Sequence, residues 1–205
     1  MRCAAVVVAL ALATAPPAVA HDGVVHATPA DAAAHASDVG PALPFPIEIR
    51  PRFDLLDQTG QRMTDVDLSG RPAAIFFGYA SCEAICSVAL PTLGRALDIA
   101  GDDGAAIVPL LITVDPARDT PAAMRAALAE VHPRLVGLTG TEAEVAAARA
   151  AFQVEANQVA TDPDGEPIYA HGSFIYLVGR DGVVKSVLPP ILGPERVAEV
   201  MLKHL

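Results

Sequence analysis

Long apolar runs in the middle of the chain predict strands that are buried on both faces. The first run, RPAAIFFGY, spans residues 71–79, and the second, AAIVPLLITVD, spans residues 105–115. Their apolar character is almost unbroken, which is typical of strands covered by helices on both sides of a sheet. Further on, SFIYLVG and VVKSVLP flank the turn signal RDG, and this arrangement predicts a β-hairpin over residues 173–189.

Helix signals lie between these apolar segments. Thr120 precedes a proline and predicts a helix N-terminus, because a hydroxyl can cap the helix and proline fits its first turn. Thr141 and Glu144 have the spacing of a capping box, which predicts a second helix start. A helix is also predicted over about residues 84–99, and Pro194 opens the last one.

The order of these elements predicts the fold class. A polar turn at residues 59–60 predicts an N-terminal hairpin, and strand, helix, strand and helix follow before the final hairpin and helix. This order predicts an α/β, thioredoxin-like fold, in which a central mixed sheet is flanked by helices and preceded by an N-terminal hairpin extension. The segment over residues 153–172 is predicted to be a polar loop.

The N-terminal part of the chain has a different pattern. Residues 1–20 combine an early arginine, an apolar core and small residues at the end, which predicts a secretory signal peptide. The apolar core is shorter than a membrane span and ends at two prolines, so an uncleaved inner-membrane anchor is disfavoured. Residues 21–47 mix Ala, Pro, Asp and His without a period and are predicted to be a flexible linker. We therefore expect a periplasmic or exported protein with one domain at residues 48–205.

Composition excludes some classes of function. Asp and Glu number 24 against 14 Lys and Arg, a balance that disfavours nucleic-acid binding through phosphates. Tryptophan is absent and aromatic residues make up only 4% of the chain, so an aromatic platform for sugars or bases is also disfavoured. Of the three cysteines, Cys3 lies in the predicted leader, which leaves Cys82 and Cys86 in the mature protein.

Cys82 and Cys86 come directly after the first buried strand, where α/β folds gather their reactive groups. On a helix, this spacing places the two Cα atoms about 6 Å apart, which suits either a disulfide or two thiolates on one metal ion. The positive end of the helix favours the thiolate form. A bridge across so short a loop removes little chain entropy, so a redox couple or a metal site is favoured over a structural staple.

A metal site at the cysteines needs a third ligand. Two soft sulfur donors favour Cu(I) or Zn(II), and histidine is the usual additional donor. His171 stands just before a predicted core strand, so its loop can face the cysteine loop. His132 and His204 lie at helix or chain ends and are expected to be solvated or to cap a helix.

Four segments, in this order, resemble the SCO/SenC family of exported thioredoxin-fold copper proteins, which assist assembly of the binuclear copper centre of cytochrome c oxidase. They are FFGYASCEAIC, LITVDPARDTP, GLTGTEAEVAAARAAF and AHGSFIYLVGRDG. The resemblance implies that Cys82, Cys86 and His171 bind copper, with Cu(I) favoured and Cu(II) as an alternative. It also implies an oxidase subunit as recipient, with other periplasmic copper carriers and thiol-disulfide partners as further partners. Asp115 and Asp119 match a family motif, but helix entry and loop hydrogen bonding explain them equally well, so no ligand role is assigned to them.

Three residues depart from the family pattern. The family has proline after each cysteine, whereas this chain has Glu83 and Ser87, and it has aspartate before the histidine, where this chain has Ala170. The Glu83 carboxylate opposes thiolate formation in the neighbouring cysteine and changes the potential of the dithiol. Ala170 lacks a carboxylate that could support the ligand histidine. The three donors themselves are retained.

Other functions use the same residues. A thiol-disulfide oxidoreductase would attack a partner's disulfide through the pair Cys82 and Cys86, without needing the histidine. An interaction module would retain the fold without copper transport. A second copper site at His21, with His26 or His35, is an additional hypothesis, although composition favours a solvated linker.

Overall fold

The computed structural model describes residues 49–50, 52–80, 86–189 and 191–204. The predicted signal peptide, the predicted linker and the loop that carries Cys82 lie outside these residues. Within the described ranges, no helix combines the length and the apolar character that a membrane span requires.

The described residues form nine strands and four α-helices. The strands are β1 (Asp54–Asp57), β2 (Arg62–Thr64), β3 (Ala73–Gly78), β4 (Val108–Thr113), β5 (Val136–Thr139), β6 (Ala156–Thr161), β7 (Pro167–His171), β8 (Ile175–Val178) and β9 (Val184–Leu188). The α-helices are α1 (Cys86–Ala100), α2 (Pro121–Ala129), α3 (Glu142–Ala151) and α4 (Pro194–Leu202). A short 3-10 helix covers Asp65–Leu68.

Seven of these strands form one mixed sheet in the order β2-β1-β5-β4-β3-β8-β9. Strands β3, β4 and β5 are parallel to each other, whereas β1 and β8 join them antiparallel. Strands β6 and β7 form a separate antiparallel ribbon. The predicted central mixed sheet with flanking helices is therefore confirmed, as are the N-terminal hairpin β1–β2 and the hairpin β8–β9.

The core lies on both faces of the sheet, as the apolar runs predict. Every residue of β3 and β4 is buried. Phe76 packs on one face within a cluster that includes residues of α1, α2 and α4. The next residue, Phe77, packs on the other face with α3 and the N-terminal hairpin. Because successive side chains of a strand point to opposite faces, helices on both sides leave no polar face on these strands.

The predicted helix starts are also confirmed. The Thr120 hydroxyl accepts a hydrogen bond from the backbone N–H of Ala123 at 3.3 Å, and the next residue is a proline. The Glu144 carboxylate accepts the backbone N–H of Thr141 at 2.7 Å, while the Thr141 hydroxyl accepts the N–H of Glu144 at 3.3 Å. These reciprocal bonds complete the capping box and fix the start of α3.

Two strand assignments differ from the sequence prediction. Strand β5 is short and contains Gly137, where an added Cβ would lie 2.8 Å from Met124 Cε and 2.9 Å from Leu128 Cδ1. A larger residue would force the ends of the buried Met124 and Leu128 side chains to shift, so glycine favours close packing of α2, and it interrupts the apolar pattern of a buried strand. The predicted polar loop over residues 153–172 is wrong, because it contains the ribbon β6–β7. Most ribbon side chains are exposed, and the exposed positions of β7 include the apolar residues Ile168 and Ala170, so no alternation of apolar and polar residues in the sequence reveals the strands.

Candidate metal centre

The carboxyl end of β3 is the point from which the cysteine loop begins. On one side, Gly78 pairs with Thr113 of β4, and the backbone N–H of Val114 donates to the Gly78 carbonyl at 2.8 Å. On the other side, Phe76 pairs with Ile175 of β8. The cysteine loop therefore leaves the sheet between the loop that follows β4 and the segment that precedes β8. After the undescribed residues 81–85, α1 begins at Cys86.

His171 lies at this same end of the central strands. Its ring meets the Phe76 ring edge-to-face with 6.3 Å between centroids and the Tyr79 ring in the same manner at 6.1 Å. Tyr79 also contacts Tyr169 of the ribbon, at 6.0 Å. Because Phe76 and Tyr79 lead directly into the cysteine loop, the structure places His171 beside the start of that loop. The side chains of Cys82 and Cys86 lie outside the described residues, so the predicted three-ligand set stays a prediction.

The other described histidines lie at the opposite end of the central strands, where β3 and β5 begin. His132 precedes the amino end of β5 and is 8% exposed, so its predicted solvation is wrong. Its Nε2 lies 3.3 Å from a carboxylate oxygen of Asp98, and its Nδ1 accepts the backbone N–H of Arg134 at 3.2 Å, a contact within the turn before β5 and not a helix cap. His204 follows α4 beside Ala73 at the amino end of β3. Of the three histidines that the structure describes, His171 therefore has the position that a ligand partner of the cysteines needs.

Asp119 anchors the last described residue before the cysteine loop. The side chain is buried, with 2% exposure, and its carboxylate accepts the Thr113 hydroxyl at 2.6 Å and the backbone N–H of Ala80 at 3.0 Å. Burial raises the pKa of the Asp119 carboxyl, and these hydrogen bonds oppose the shift. The same Thr113 hydroxyl accepts the backbone N–H of Asp115 at 2.9 Å. Loop hydrogen bonding thus accounts for Asp119, as the sequence suggested.

Arg118 connects the same loop to the ribbon that carries His171. Its Nε contacts the buried Asp115 carboxylate, and its Nη2 donates to the Pro167 carbonyl at 2.7 Å. The guanidinium carbon lies 5.3 Å from the centroid of the Tyr79 ring. Sequence reasoning did not single out Arg118 or Tyr79. Both residues lie in segments that carry the family resemblance, but their contacts cross 49 and 92 residues of chain, respectively, which no local pattern reveals.

Ala170 lies on the outer face of the ribbon. Its side chain is exposed, while its neighbours Tyr169 and His171 are half-buried. Because side chains alternate along a strand, a carboxylate at this position would project away from the face that His171 uses. This geometry therefore does not support the expectation that a carboxylate at position 170 would contact the histidine ring. Glu83 lies outside the described residues, as does the side chain of Ser87.

A family model described as SCO1/SenC matches residues 42–205. The chain belongs to the SCO1/SenC family. This confirms the resemblance that the motifs indicate. Within the described residues, no group of three or more His, Cys, Asp or Glu side chains is placed to hold a metal ion. The ligand set inferred from the SCO1/SenC resemblance includes Cys82, which is outside those residues.

Individual SCO1/SenC relatives support the same assignment. The chain is 39% identical over 155 residues to a mitochondrial SCO2 homolog of Danio rerio, covering 75% of this chain and 56% of that protein. The matched region is thus little more than half of that relative's length. The copper-bound structure of Bradyrhizobium japonicum ScoI is 38% identical, with 77% and 99% of the two chains covered and a TM-score of 0.71. Copper-bound yeast Sco1 is 31% identical, with 76% and 87% covered and a TM-score of 0.70.

Proposed function

We propose that this SCO1/SenC protein is a copper metallochaperone. It holds copper through Cys82, Cys86 and His171 and delivers it to the binuclear copper centre of a cytochrome c oxidase subunit. The observation that carries this proposal is the contact of the His171 ring with Tyr79, three residues before Cys82. Copper is bound in the solved relatives from Bradyrhizobium japonicum and yeast, which supports copper as the metal for this chain.

The donor chemistry suits a metal that must be handed on. Two thiolates and one imidazole form a soft site with few ligands, which favours Cu(I) and leaves room for an incoming ligand from a recipient protein. Helix α1 is 15 residues long and begins at Cys86. Its N-terminal end favours a thiolate over a thiol at that position, and thiolates are the form that binds copper.

The surroundings of His171 support its role as the third donor. The edge-to-face contacts with Phe76 and Tyr79 restrict the orientation of the imidazole before any metal arrives. Nδ1 lies 3.5 Å from the backbone carbonyl oxygen of Gly172. A proton on Nδ1 would point toward this carbonyl and leave the Nε2 lone pair available for copper. A ring that is ordered in advance loses less conformational freedom when copper binds.

A thiol-disulfide oxidoreductase is the second candidate function. The observation that favours it is the position of Cys86 at the start of α1, since a helix N-terminus activates a cysteine for disulfide exchange as well. In this reaction a thiolate attacks a partner's disulfide, and the second cysteine then displaces the partner's thiolate. The two functions differ in their need for His171, which disulfide exchange does not use.

The location and partners of the protein belong to the same proposal. The predicted signal peptide at residues 1–20 supports export to the periplasm, where the cysteine pair would meet oxidants as well as copper. The pair must be reduced before it binds copper, and its oxidation to a disulfide would release the metal. Other periplasmic copper carriers are then donors or acceptors, and thiol-disulfide proteins control the redox state of the pair.

Anaerobic Cu(I) titration of the reduced protein tests this function, with affinity measured by competition against a Cu(I) chelator. We expect one tightly bound copper, and a loss of tight binding in the Cys82→Ser, Cys86→Ser and His171→Ala variants. His204→Ala is the matched control, because His204 lies at the amino end of β3, away from the cysteine loop. Disulfide exchange should persist in His171→Ala. An unchanged Cu(I) affinity in His171→Ala would contradict the three-ligand site.

A further inference from the structure

We propose that Arg118 and Asp119 form a positioning bracket for the copper site. Asp119 holds the start of the cysteine loop, and Arg118 holds the ribbon that carries His171. Two consecutive residues therefore set the distance between the thiolate side and the imidazole side of the site. This inference rests on the proposed function, and it adds two positioning residues that do not themselves bind copper.

The Asp119 half of the bracket is a buried carboxylate. Burying a charged group is unfavourable unless hydrogen bonds compensate, and here the compensating donors are the Thr113 hydroxyl and the N–H of Ala80. Ala80 is two residues before Cys82. The carboxylate therefore ties the last described residue before the cysteine loop to the end of β4. Without it, the Ala80 N–H would lose this partner and the loop would start from a less fixed point.

The Arg118 half of the bracket holds the ribbon. Strands β6 and β7 are not part of the seven-stranded sheet, and most of their side chains are exposed, so they gain little from core packing. Arg118 Nη2 donates to Pro167 O, the first carbonyl of β7, and Nε lies 3.7 Å from a Glu166 carboxylate oxygen. A planar guanidinium with several donors can make these contacts at once, whereas an ammonium group makes fewer.

The two halves share one loop that is held by several hydrogen bonds. The backbone N–H of Asp119 donates to the carbonyl of Asp115 at 3.0 Å, and the Asp115 carboxylate contacts Arg118. The Asp115 N–H in turn donates to the Thr113 hydroxyl that Asp119 also accepts. A shift of Arg118 is therefore transmitted to Asp119. This connection makes the geometry of the two sides of the copper site interdependent.

The consequence for copper is a preset separation of the donors. A site built from a loop and a separate ribbon binds tightly only if both are held near the productive geometry beforehand. Groups that support metal ligands through hydrogen bonds change metal affinity by about 10–100-fold when they are removed. We expect losses of this size, together with a changed coordination geometry, when either half of the bracket is altered.

The experiment compares Arg118→Lys, Asp119→Asn and the double variant in the reduced full-length protein. Cu(I) affinity is measured by chelator competition, and the thiolate-to-copper charge-transfer band is recorded after loading with Cu(II). Arg118→Lys keeps the charge but loses the fork of donors. We expect about 10–100-fold weaker Cu(I) binding and a shifted band in each single variant. The double variant should lose less than the product of the two single losses, because both act on one distance.

Arg125→Lys is the matched control. The Arg125 guanidinium also donates to a backbone carbonyl, that of Gln58, at 3.0 and 2.5 Å, but it does not contact the ribbon through any bond that the structure describes. Its affinity and spectrum should remain those of the wild type. Should Asp119→Asn fail to fold, Thr113→Val replaces it, because this variant removes the hydroxyl that holds the carboxylate while keeping the side-chain shape.

The outcomes separate the bracket from the proposed function. Wild-type affinity and an unshifted band in folded Arg118→Lys and Asp119→Asn proteins would overturn the bracket, provided that His171→Ala still loses copper. If His171→Ala also keeps full affinity, the three-ligand site itself fails, and the bracket fails with it. Loss of affinity in Arg125→Lys to the same degree would also overturn the proposal, since it would show a general effect of weakened loop contacts.

Discussion

The ring of Tyr79 meets the ring of His171 edge-to-face, at 6.1 Å between centroids and an interplanar angle of 71°. This contact joins the strand that leads into the cysteine loop to the ribbon that ends in the histidine. The two residues are 92 positions apart in the chain, and their contact connects the end of the seven-stranded sheet to the separate ribbon. The aromatic pair therefore positions the imidazole relative to the carboxyl end of β3, where the cysteines are expected.

Replacing Tyr79 should weaken copper binding through the orientation of His171. In Tyr79→Leu the edge-to-face contacts with both His171 and Tyr169 are lost, and the imidazole gains freedom that copper binding must remove. We expect about 10-fold weaker Cu(I) binding in chelator competition. Tyr79→Phe keeps the ring and is the control, with affinity close to that of the wild type. Equal losses in both variants would assign the effect to the hydroxyl instead.

Glu144 should make stability depend on acid pH. Hydrogen bonds from Thr141 and from the Arg62 side chain lower the pKa of Glu144 to about 2 from an ordinary 4.5. A lowered pKa in the folded state means that the ionised carboxylate stabilises the fold fully above the ordinary value. This contribution is then lost as the pH falls from about 4.5 through 2. Glu144→Gln has no such titration.

Urea unfolding at several pH values measures the Glu144 effect. The difference in unfolding free energy between the wild type and Glu144→Gln should be largest at neutral pH and should shrink steadily below about pH 4.5. A difference that stays constant from pH 7 to pH 3 would show that the carboxylate is not stabilised by its capping and ion-pair contacts.

Gly137→Ala should destabilise the protein by overpacking. The added Cβ would lie 2.8 Å from Met124 Cε and 2.9 Å from Leu128 Cδ1, closer than van der Waals contact allows. We expect a loss of about 1–3 kcal/mol in the free energy of unfolding, measured by chemical denaturation. Gly172→Ala is the control, because its Cβ would meet only Phe174, at 3.9 Å. Similar losses in the two variants would mean that helix α2 does not pack as closely as described.

Gln153→Gly should stabilise the protein. Gln153 follows the end of α3 with a φ of 58°, a left-handed conformation that a Cβ makes unfavourable. The N–H of Val154 donates to the Arg149 carbonyl at 2.8 Å, which completes the turn that ends the helix. Glycine should raise the free energy of unfolding by about 1 kcal/mol, whereas Gln153→Ala keeps the unfavourable Cβ and should bring no gain. Thermal or urea unfolding of the three proteins decides this prediction.

The elements that could be predicted from the sequence are those with local causes. Strands β3 and β4 are continuous apolar runs because both their faces are buried, and the starts of α2 and α3 follow from a hydroxyl placed just before each helix. The ribbon could not be predicted, because exposed strands need no apolar side chains and so carry no period. Strand β5 could not be predicted because Gly137, which lets α2 pack closely, interrupts the apolar pattern of the strand.

The candidate site divides in the same way. The sequence by itself determined the cysteine pair after a buried strand, the candidate histidine and the family, because these depend on residue types and their spacing. Only the tertiary structure decided that His171 lies against Tyr79, and that Arg118 and Asp119 hold the ribbon and the start of the cysteine loop. Those contacts join residues that are 39 to 92 positions apart, and only the folding of the sheet, the loop after β4 and the separate ribbon brings them together.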